Sequence, residues 1–253
     1  MAKSNSSAPT NGGYVLRMRN VAFAYGQGEP LLRVPRFDIK KGRHHFISGS
    51  SGSGKSTLLG LITGVLEPSY GTLEVLGNRL EKMSRRARDR FRGARLGYIF
   101  QTFNLIPYLT VLENILLPGR LNPRRRAGGS LRDDALKLAE RMNITSILHQ
   151  EASSISVGQA QRTAAARALL GEPELIIADE PTSALDEKHR VEFLEILFSA
   201  VEKSGSTVLM VSHDPRIATH FPDCTDMSDL NHANSRATTE KEESGRALAR
   251  TNA

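Results

Sequence analysis

A glycine-rich run that ends in lysine and serine predicts a binding site for the phosphates of a nucleoside triphosphate. The run Gly49–Ser56 reads GSSGSGKS and fits the pattern G-x-x-x-x-G-K-[ST] in full. Its glycines let backbone N–H groups converge on phosphate oxygens, and the start of the following helix adds partial positive charge. We expect Lys55 to reach the β- and γ-phosphates and the Ser56 hydroxyl to ligate Mg²⁺. A Gly/Ser-rich turn with a chance lysine is disfavoured, because the run lies between a predicted strand and a predicted helix.

Two carboxylates, Asp179 and Glu180, follow the apolar run Leu175–Ala178, which is typical of a buried parallel strand. In an enzyme with a phosphate-binding loop, an aspartate at such a strand end holds Mg²⁺ directly or through water. We expect Glu180 to point differently, because side chains alternate along a strand, and to polarise an attacking water as general base. On its own, a solvent-exposed strand end would explain the pair equally well, and the phosphate-binding loop favours the catalytic interpretation.

The elements that must position these groups alternate between short apolar runs and longer helical patterns. We predict strands at Tyr14–Asn20, His44–Ser48, Leu96–Phe100, Leu175–Ala178 and Thr207–Val211. We predict helices at Ser56–Ile62, Val111–Leu117, Arg132–Met142, Ser156–Leu170 and Glu187–Lys203. Alternating strands and helices indicate an α/β fold with a parallel sheet. The stretch from about Glu81 to Leu170 is mostly helical, which indicates a helical insertion into that sheet.

Composition excludes several classes of protein. The 253 residues suffice for one or two domains, and a single cysteine excludes a disulfide framework and a multi-cysteine zinc site. We expect Cys224 to be a small buried hydrophobe. No apolar run approaches the roughly 18 residues of a membrane-spanning helix, and the polar start does not read as a signal peptide. Residues 1–13 and 231–253 are polar and read as flexible tails.

Further motifs follow in a fixed order along the chain. They are Gln101 after Leu96–Phe100, the run Ser156–Gln159, the pair Asp179–Glu180, the run Ser183–Asp186, and His213 after Thr207–Val211. Together with the phosphate-binding loop, they resemble the ATP-binding subunit of an ABC transporter over about residues 14–230. The resemblance implies a phosphate-loop NTPase with a mainly parallel core sheet, an antiparallel β subdomain and a helical subdomain at about 81–170.

The resemblance also implies roles for individual residues. The implied ATP contacts are Tyr25, Gly49, Ser50, Ser51, Gly52, Ser53, Gly54, Lys55, Ser56, Thr57, Ser156, Gly158 and Gln159. Tyr25 would stack on adenine, with a turn-flanking tyrosine as the alternative and Phe23 as a nearby competitor. The implied catalytic residues are Lys55, Gln101, Glu180 and His213, and the implied Mg²⁺ ligands are Ser56, Gln101 and Asp179.

The run Ser156–Gln159 departs from the family pattern, because Val157 replaces the first of two glycines that follow the serine. In the family this motif caps the γ-phosphate of ATP bound to the other subunit. A β-branched side chain close to that phosphate leaves open whether the contact is tightened, weakened or lost. Ser156 and Gln159 also fit a capping box, so an ordinary helix start explains them as well.

The implied partners are a second copy of the chain, paired head to tail around ATP, and a separate transmembrane permease. The implied location is peripheral, at the cytoplasmic face of the inner membrane, with no nucleic acid bound. Motifs at Arg95–Gln101, Asn104–Pro107 and Thr110–Asn114 are similar to those of lipoprotein-release, macrolide-export and mechanotransmission systems. The same pattern occurs in the cell-division member and in some amino-acid importers.

Two other classes of function remain open. A soluble ABC ATPase acting on ribosomes or DNA is disfavoured, because the chain has one cassette and no heptad run. A dimerising scaffold that uses ATP with weak hydrolysis stays possible because of Val157.

The basic charge is concentrated in one segment. Lys82–Arg126 holds eleven lysines and arginines against Asp89 and Glu113, a net of +9, and subtracting this from the total of +7 leaves −2 elsewhere. Since this segment surrounds Gln101, we expect a basic rim facing acidic lipid headgroups or acidic segments of the permease. A solvated helical face with a basic loop at Arg124–Arg126 is the alternative.

Overall fold

The computed structural model describes residues 13–125 and 130–233. Arg126 of the predicted basic loop and nearly all of both predicted tails lie outside these ranges. The remainder of the second predicted tail packs against the domain. Asn231 accepts a hydrogen bond from the Arg33 amide, and the His232 amide donates to the Arg33 carbonyl.

A five-stranded parallel sheet forms the centre, with the strand order β6-β7-β8-β3-β9. Its strands are β3 (His45–Ser48), β6 (Leu96–Ile99), β7 (Leu175–Asp179), β8 (Thr207–Ser212) and β9 (Asp223–Asp226). Every residue of β8 is buried, as are the first four of β7, because helices cover both faces of the sheet. This confirms the predicted α/β class and parallel sheet.

A second, antiparallel sheet has the order β2-β1-β4-β5. Its strands are β1 (Tyr14–Phe23), β2 (Leu32–Lys40), β4 (Tyr70–Val75) and β5 (Asn78–Arg79). The family resemblance implied such a subdomain, but the residue patterns predicted only its first strand. Leu16, Met18 and Leu73 of this sheet share a core with Leu58 and Leu61, so the helix that follows the phosphate-binding loop packs against this sheet.

Seven helices complete the described part of the chain. They are α1 (Lys55–Ile62), α2 (Arg85–Arg95), α3 (Val111–Leu121), α4 (Leu131–Arg141), α5 (Val157–Leu169), α6 (Glu187–Ser204) and α7 (Met227–Leu230). Helices α3, α4 and α5 contact one another and form the helical layer. The predicted insertion also contained β6, which pairs with β7 in the central sheet. The helical layer therefore begins after β6.

Two local expectations differ from the structure. The prediction that α3 ends at Leu117 is wrong, because Pro118 lies inside the helix, which continues to Leu121. The expectation that Cys224 is buried is also wrong, since its side chain is exposed and its thiol donates to the Ala218 carbonyl. Cys224 lies on β9, an edge strand whose other residues are Asp223, Thr225 and Asp226 and whose residues are all partly or fully exposed.

Candidate functional site

A cleft of about 710 Å³ opens at the carboxyl ends of the parallel strands. It is lined by Leu31, Ser50, Ser51, Gly52, Gly54, Lys55, Ser56, Thr57, Gln101, Asp179, Glu180 and His213. In open parallel sheets ligands bind at this edge, because the loops that follow the strands meet there. The cleft thus brings together the phosphate-binding loop, both acidic residues, Gln101 and His213.

The phosphate-binding loop is shaped by close backbone approach. A side chain at Gly49 would meet the Met227 Cβ and the Ser53 Oγ at 2.8 Å, and Gly54 adopts a φ of 101°, which disfavours other residues. Lys55 is 7% exposed, and its Nζ donates to the carbonyls of Gly49 (2.7 Å) and Ser50 (2.9 Å). Carbonyl groups of the loop itself therefore hold the Lys55 ammonium group in place.

Glu180 lies between a cation and an imidazole. Its Oε1 is 3.5 Å from the Lys55 Nζ, and its Oε2 is 2.6 Å from the His213 Nδ1. The expectation that strand alternation sets the direction of the Glu180 side chain is wrong. Strand β7 ends at Asp179, and Glu180 has a φ of 44°, in the left-handed region. Its amide donates to the Val211 carbonyl at 2.9 Å. This turn brings both carboxylates to the same cleft.

The oxygen donors around Asp179 fit a divalent cation. The Tyr98 hydroxyl lies 3.4 Å from the Asp179 Oδ2, and burial raises the pKa of this carboxyl. The described residues contain no group of three or more His, Cys, Asp or Glu placed to hold a metal. A carboxylate, the Ser56 hydroxyl and the Gln101 amide instead offer a few hard oxygen ligands, as Mg²⁺ takes when phosphates and waters supply the others.

The segment after Gln101 is fixed to α5. Phe103 and Asn104 both adopt left-handed backbone, with φ of 60° and 48°. Their carbonyls accept hydrogen bonds from the Arg167 guanidinium, at 2.6 Å in the case of Asn104. Burial lowers the pKa of Arg167 to about 10. Arg167 is not among the site residues predicted from the sequence, although an arginine within the alanine-rich run of α5 is unusual enough to indicate a polar contact.

Several predicted residues lie apart from the cleft. Tyr25 does not line it, is 65% exposed and packs edge-to-face on Phe23 with ring centroids 4.8 Å apart. Gly49 and Ser53 face a smaller cavity behind the loop, lined also by Asp226, Met227, Ser228 and Asn231.

The start of α5 also lies outside the cleft. Ser156 and Gln159 form the predicted capping box, with each side chain hydrogen-bonded to the backbone of the other residue. Val157 is 52% exposed, and no atom lies within 4 Å of the position that a side chain at Gly158 would take. The motif therefore faces outward.

The arginine-rich segment divides into two groups. Arg88 pairs with Glu67, Arg92 with Asp89 and Arg95 with Glu174. Six other cations form no ion pair with a carboxylate of the described residues: Lys82, Arg85, Arg86, Arg90, Arg120 and Arg124. All six are exposed.

Arg125 does not belong to a basic rim, contrary to the expectation for Arg124–Arg126. It is buried, and burial lowers its pKa to about 10. Its guanidinium donates to the carbonyls of Gly93, Leu96, Ala168 and Leu170. Arg125 therefore ties α2 and β6 to the end of α5.

Comparisons with known proteins agree with this geometry. The family model described as "ABC transporter" matches residues 32–183. The uncharacterised ABC transporter ATP-binding protein YbbA of Escherichia coli K12 is 35% identical, over 83% of this chain and 92% of its own length. The lipoprotein-releasing system ATP-binding protein LolD 1 of Caulobacter vibrioides is 37% identical, over 81% and 88%. The bacitracin export ATP-binding protein BceA of Halalkalibacterium halodurans is 37% identical, over 81% and 82%.

The solved structures point to the same class. The ATP-binding cassette MJ0796, a dimer in a post-hydrolysis state bound to ADP and Pi, matches with a TM-score of 0.74 at 32% identity. The match covers 85% of this chain and 94% of that one. None of the helices among the described residues combines the length and apolarity that crossing a bilayer requires.

The fold and the cleft define an ATPase of the nucleotide-binding cassette class. The chain belongs to the ABC transporter family, as the ATP-binding subunit of a transporter.

Proposed function

We propose that this chain hydrolyses ATP and thereby powers a separate transmembrane permease. The arrangement of Glu180 supports the chemistry best, because a carboxylate held between Lys55 and His213 faces the loop that would cradle the phosphates. Hydrolysis needs a base, a cation for the phosphates and a group that orients water, and these three side chains supply them.

The proposed reaction proceeds in line at the γ-phosphorus. Glu180 takes a proton from water as the water oxygen attacks, the bond to the β-phosphate oxygen breaks, and ADP and phosphate leave. His213 orients Glu180 and the water, and Lys55 stabilises charge on the β- and γ-phosphate oxygens. Ser56, Asp179 and Gln101 are the proposed Mg²⁺ ligands, and Mg²⁺ when bound neutralises charge on the phosphates.

We propose that the complete site needs two copies of the chain paired head to tail. Ser156, Gly158 and Gln159 lie outside the cleft of their own chain, and helix starts such as this one bind phosphate well. The dimeric MJ0796 cassette structures are consistent with this arrangement. In the proposed dimer, each ATP contacts the cleft of one copy and the start of α5 of the other, and hydrolysis lets the two copies separate.

The proposed location is the cytoplasmic face of the inner membrane, peripheral to the permease and without nucleic acid. The proposed transport type is export, lipoprotein release or mechanotransmission, which the names of LolD and BceA support. We place the docking side at the unpaired cations of α2 and at Arg124, because exposed arginines favour anionic partners.

A dimerising scaffold with weak hydrolysis is the second candidate. The exposed Val157 favours it, because a bulky side chain stands at the start of α5 where the family pattern has glycine.

The substitution Glu180→Gln separates these functions. We expect ATP binding to persist and turnover to fall by about 10²–10⁴-fold, because general-base catalysis contributes on that scale. The variant should also form a stable dimer with ATP in size-exclusion chromatography. Glu192→Gln, on α6 outside the cleft, is the matched control and should keep its turnover.

ATP turnover is measured on the isolated chain and on its complex with the permease. Turnover in Glu180→Gln close to that of the unsubstituted protein would remove Glu180 from the proposed role. Absence of turnover in the unsubstituted complex would favour the scaffold.

A further inference from the structure

Arg190 connects three segments next to the cleft. It lies in the first turn of α6, and its side chain is 11% exposed. Its Nη1 is 2.7 Å from the Asp214 Oδ2 and 3.1 Å from the Glu187 Oε2, and its Nη2 donates to the Leu185 carbonyl at 3.4 Å. Leu185 belongs to the run Ser183–Asp186, and Asp214 directly follows His213.

Asp214 is held by two guanidinium groups. Arg216 binds it with two hydrogen bonds, from Nε to Oδ1 at 2.9 Å and from Nη2 to Oδ2 at 2.8 Å, and the Arg190 Nη1 lies 2.7 Å from the same Oδ2. Hydrogen bonds and nearby positive charge lower the pKa of Asp214 to about 2. The carboxylate is therefore charged at any physiological pH, and it anchors the backbone that follows His213.

The imidazole of His213 depends on this anchor. Its side chain is 59% exposed, so packing does not fix it, yet its Nδ1 meets Glu180 at 2.6 Å. The residue before it, Ser212, is the buried end of β8, and its hydroxyl accepts from the Asp214 amide at 3.2 Å. The residue after it is held through Asp214 to Arg190. The position of His213 is thus set from both sides.

Arg190 is unlike the exposed ion pairs of the surface. Its Nε is buried and has no hydrogen-bond partner among the described residues. An exposed arginine would hydrogen-bond its Nε to water. The Arg190 side chain instead keeps its position although this donor is unsatisfied. Exposed pairs such as Arg43 and Asp223 constrain their surroundings little.

We propose that Arg190 is a positioning residue for ATP hydrolysis. It ties the segment that carries His213 to the run Ser183–Asp186, and so keeps the imidazole in contact with Glu180. Arg190 acts through His213 and touches neither ATP nor water. This inference rests on the proposed function, because it concerns the orientation of the groups assigned to hydrolysis there.

The test measures kcat and KM for ATP in Arg190→Met. We expect kcat to fall about tenfold, with KM within about twofold, because binding by the phosphate loop is untouched while the base is misoriented. Arg43→Met is the matched control, since it removes an arginine from a bidentate pair on the surface. It should leave both constants unchanged.

The decisive measurement combines Arg190→Met with His213→Ala. A residue that acts through His213 has no further effect once the imidazole is gone, so the double variant should match His213→Ala. Single-turnover assays with radiolabelled ATP resolve the low rates. A further loss of tenfold in the double variant, or an unchanged kcat in Arg190→Met, would overturn the proposal.

Two controls separate this inference from the proposed function and from misfolding. If the unsubstituted protein does not hydrolyse ATP, the proposed function fails first. If it does and Arg190→Met keeps its kcat, only the role of Arg190 fails. Should Arg190→Met lose its folded structure by circular dichroism, Arg190→Lys is judged by the same kcat and double-variant criteria, because lysine keeps the charge but not the fork geometry.

Discussion

The nucleotide cleft and the start of α5 both carry polar motifs, yet their side chains find partners in different ways. In the cleft, Lys55 is bonded to the loop and lies near Glu180, and Glu180 meets His213. At the start of α5, the side chains of Ser156 and Gln159 bond to each other's backbone, and Val157 faces outward. In the proposed function, the cleft therefore binds ATP within one chain, whereas the start of α5 contacts ATP only across the proposed dimer.

Lys55→Ala tests the cleft and has the largest expected effect on ATP affinity. Charge-assisted hydrogen bonds are worth about 1.5–3 kcal/mol each, so we expect ATP affinity of the isolated chain to fall by roughly 10–100-fold. Isothermal titration calorimetry measures this affinity directly. Ser156→Ala is the matched control, and it should leave the affinity of the single chain unchanged. Equal losses in the two variants would show that the start of α5 contributes to ATP binding within a single chain.

Arg125→Met tests whether the far end of α5 is held from within the chain. The substitution removes a buried guanidinium that donates to four carbonyls, and we expect a loss of about 3 kcal/mol in the free energy of unfolding. For a domain of this size that lowers the melting temperature by roughly 6–12 °C.

The exposed neighbour Arg124 supplies the contrast to Arg125. Arg124→Met should keep the melting temperature and weaken assembly with an anionic membrane complex at low salt. Equal melting temperatures in the two variants would show that burial does not distinguish these arginines. Unchanged assembly of Arg124→Met would favour a merely solvated basic face.

Val157→Gly tests the motif at the start of α5, and its expected effect on turnover is the smallest of these changes. Glycine restores close access to the start of α5, so we expect turnover to stay unchanged or to rise roughly fivefold, the equivalent of about 1 kcal/mol. Nucleotide affinity of the isolated chain should not move. A clear loss of turnover would mean that valine is adapted to the partner surface.

The parts of the site that are contiguous in sequence could be predicted from it. The phosphate-binding loop and the acidic pair depend on local spacing and on flanking strands, and the structure places both at one cleft. The direction of Glu180 could not be predicted, because it follows from a left-handed backbone turn after β7 and not from strand alternation. The outward position of Ser156 is likewise a property of the tertiary fold.

The missed features share a dependence on distant partners. Strands β2, β5 and β9 lie at sheet edges, so alternation alone did not indicate them. Strand β4 was missed although Leu73 and Val75 alternate with polar residues. Arg125 belongs to a run of arginines that resembles a solvated loop, and only carbonyls from α2, β6 and α5 explain its burial.

The strand order has a consequence for the time course of synthesis. Strand β3 leads into the phosphate-binding loop, and its neighbours in the sheet are β8 and β9. The partner residues lie about 160 residues further along the chain, which a ribosome adds in roughly 8–30 s at 5–20 residues per second. During that interval the apolar run Phe46–Ile47 has no strand to pair with. The nascent chain therefore carries its nucleotide loop on an unfinished sheet, and chaperone contact would be most useful until β8 emerges.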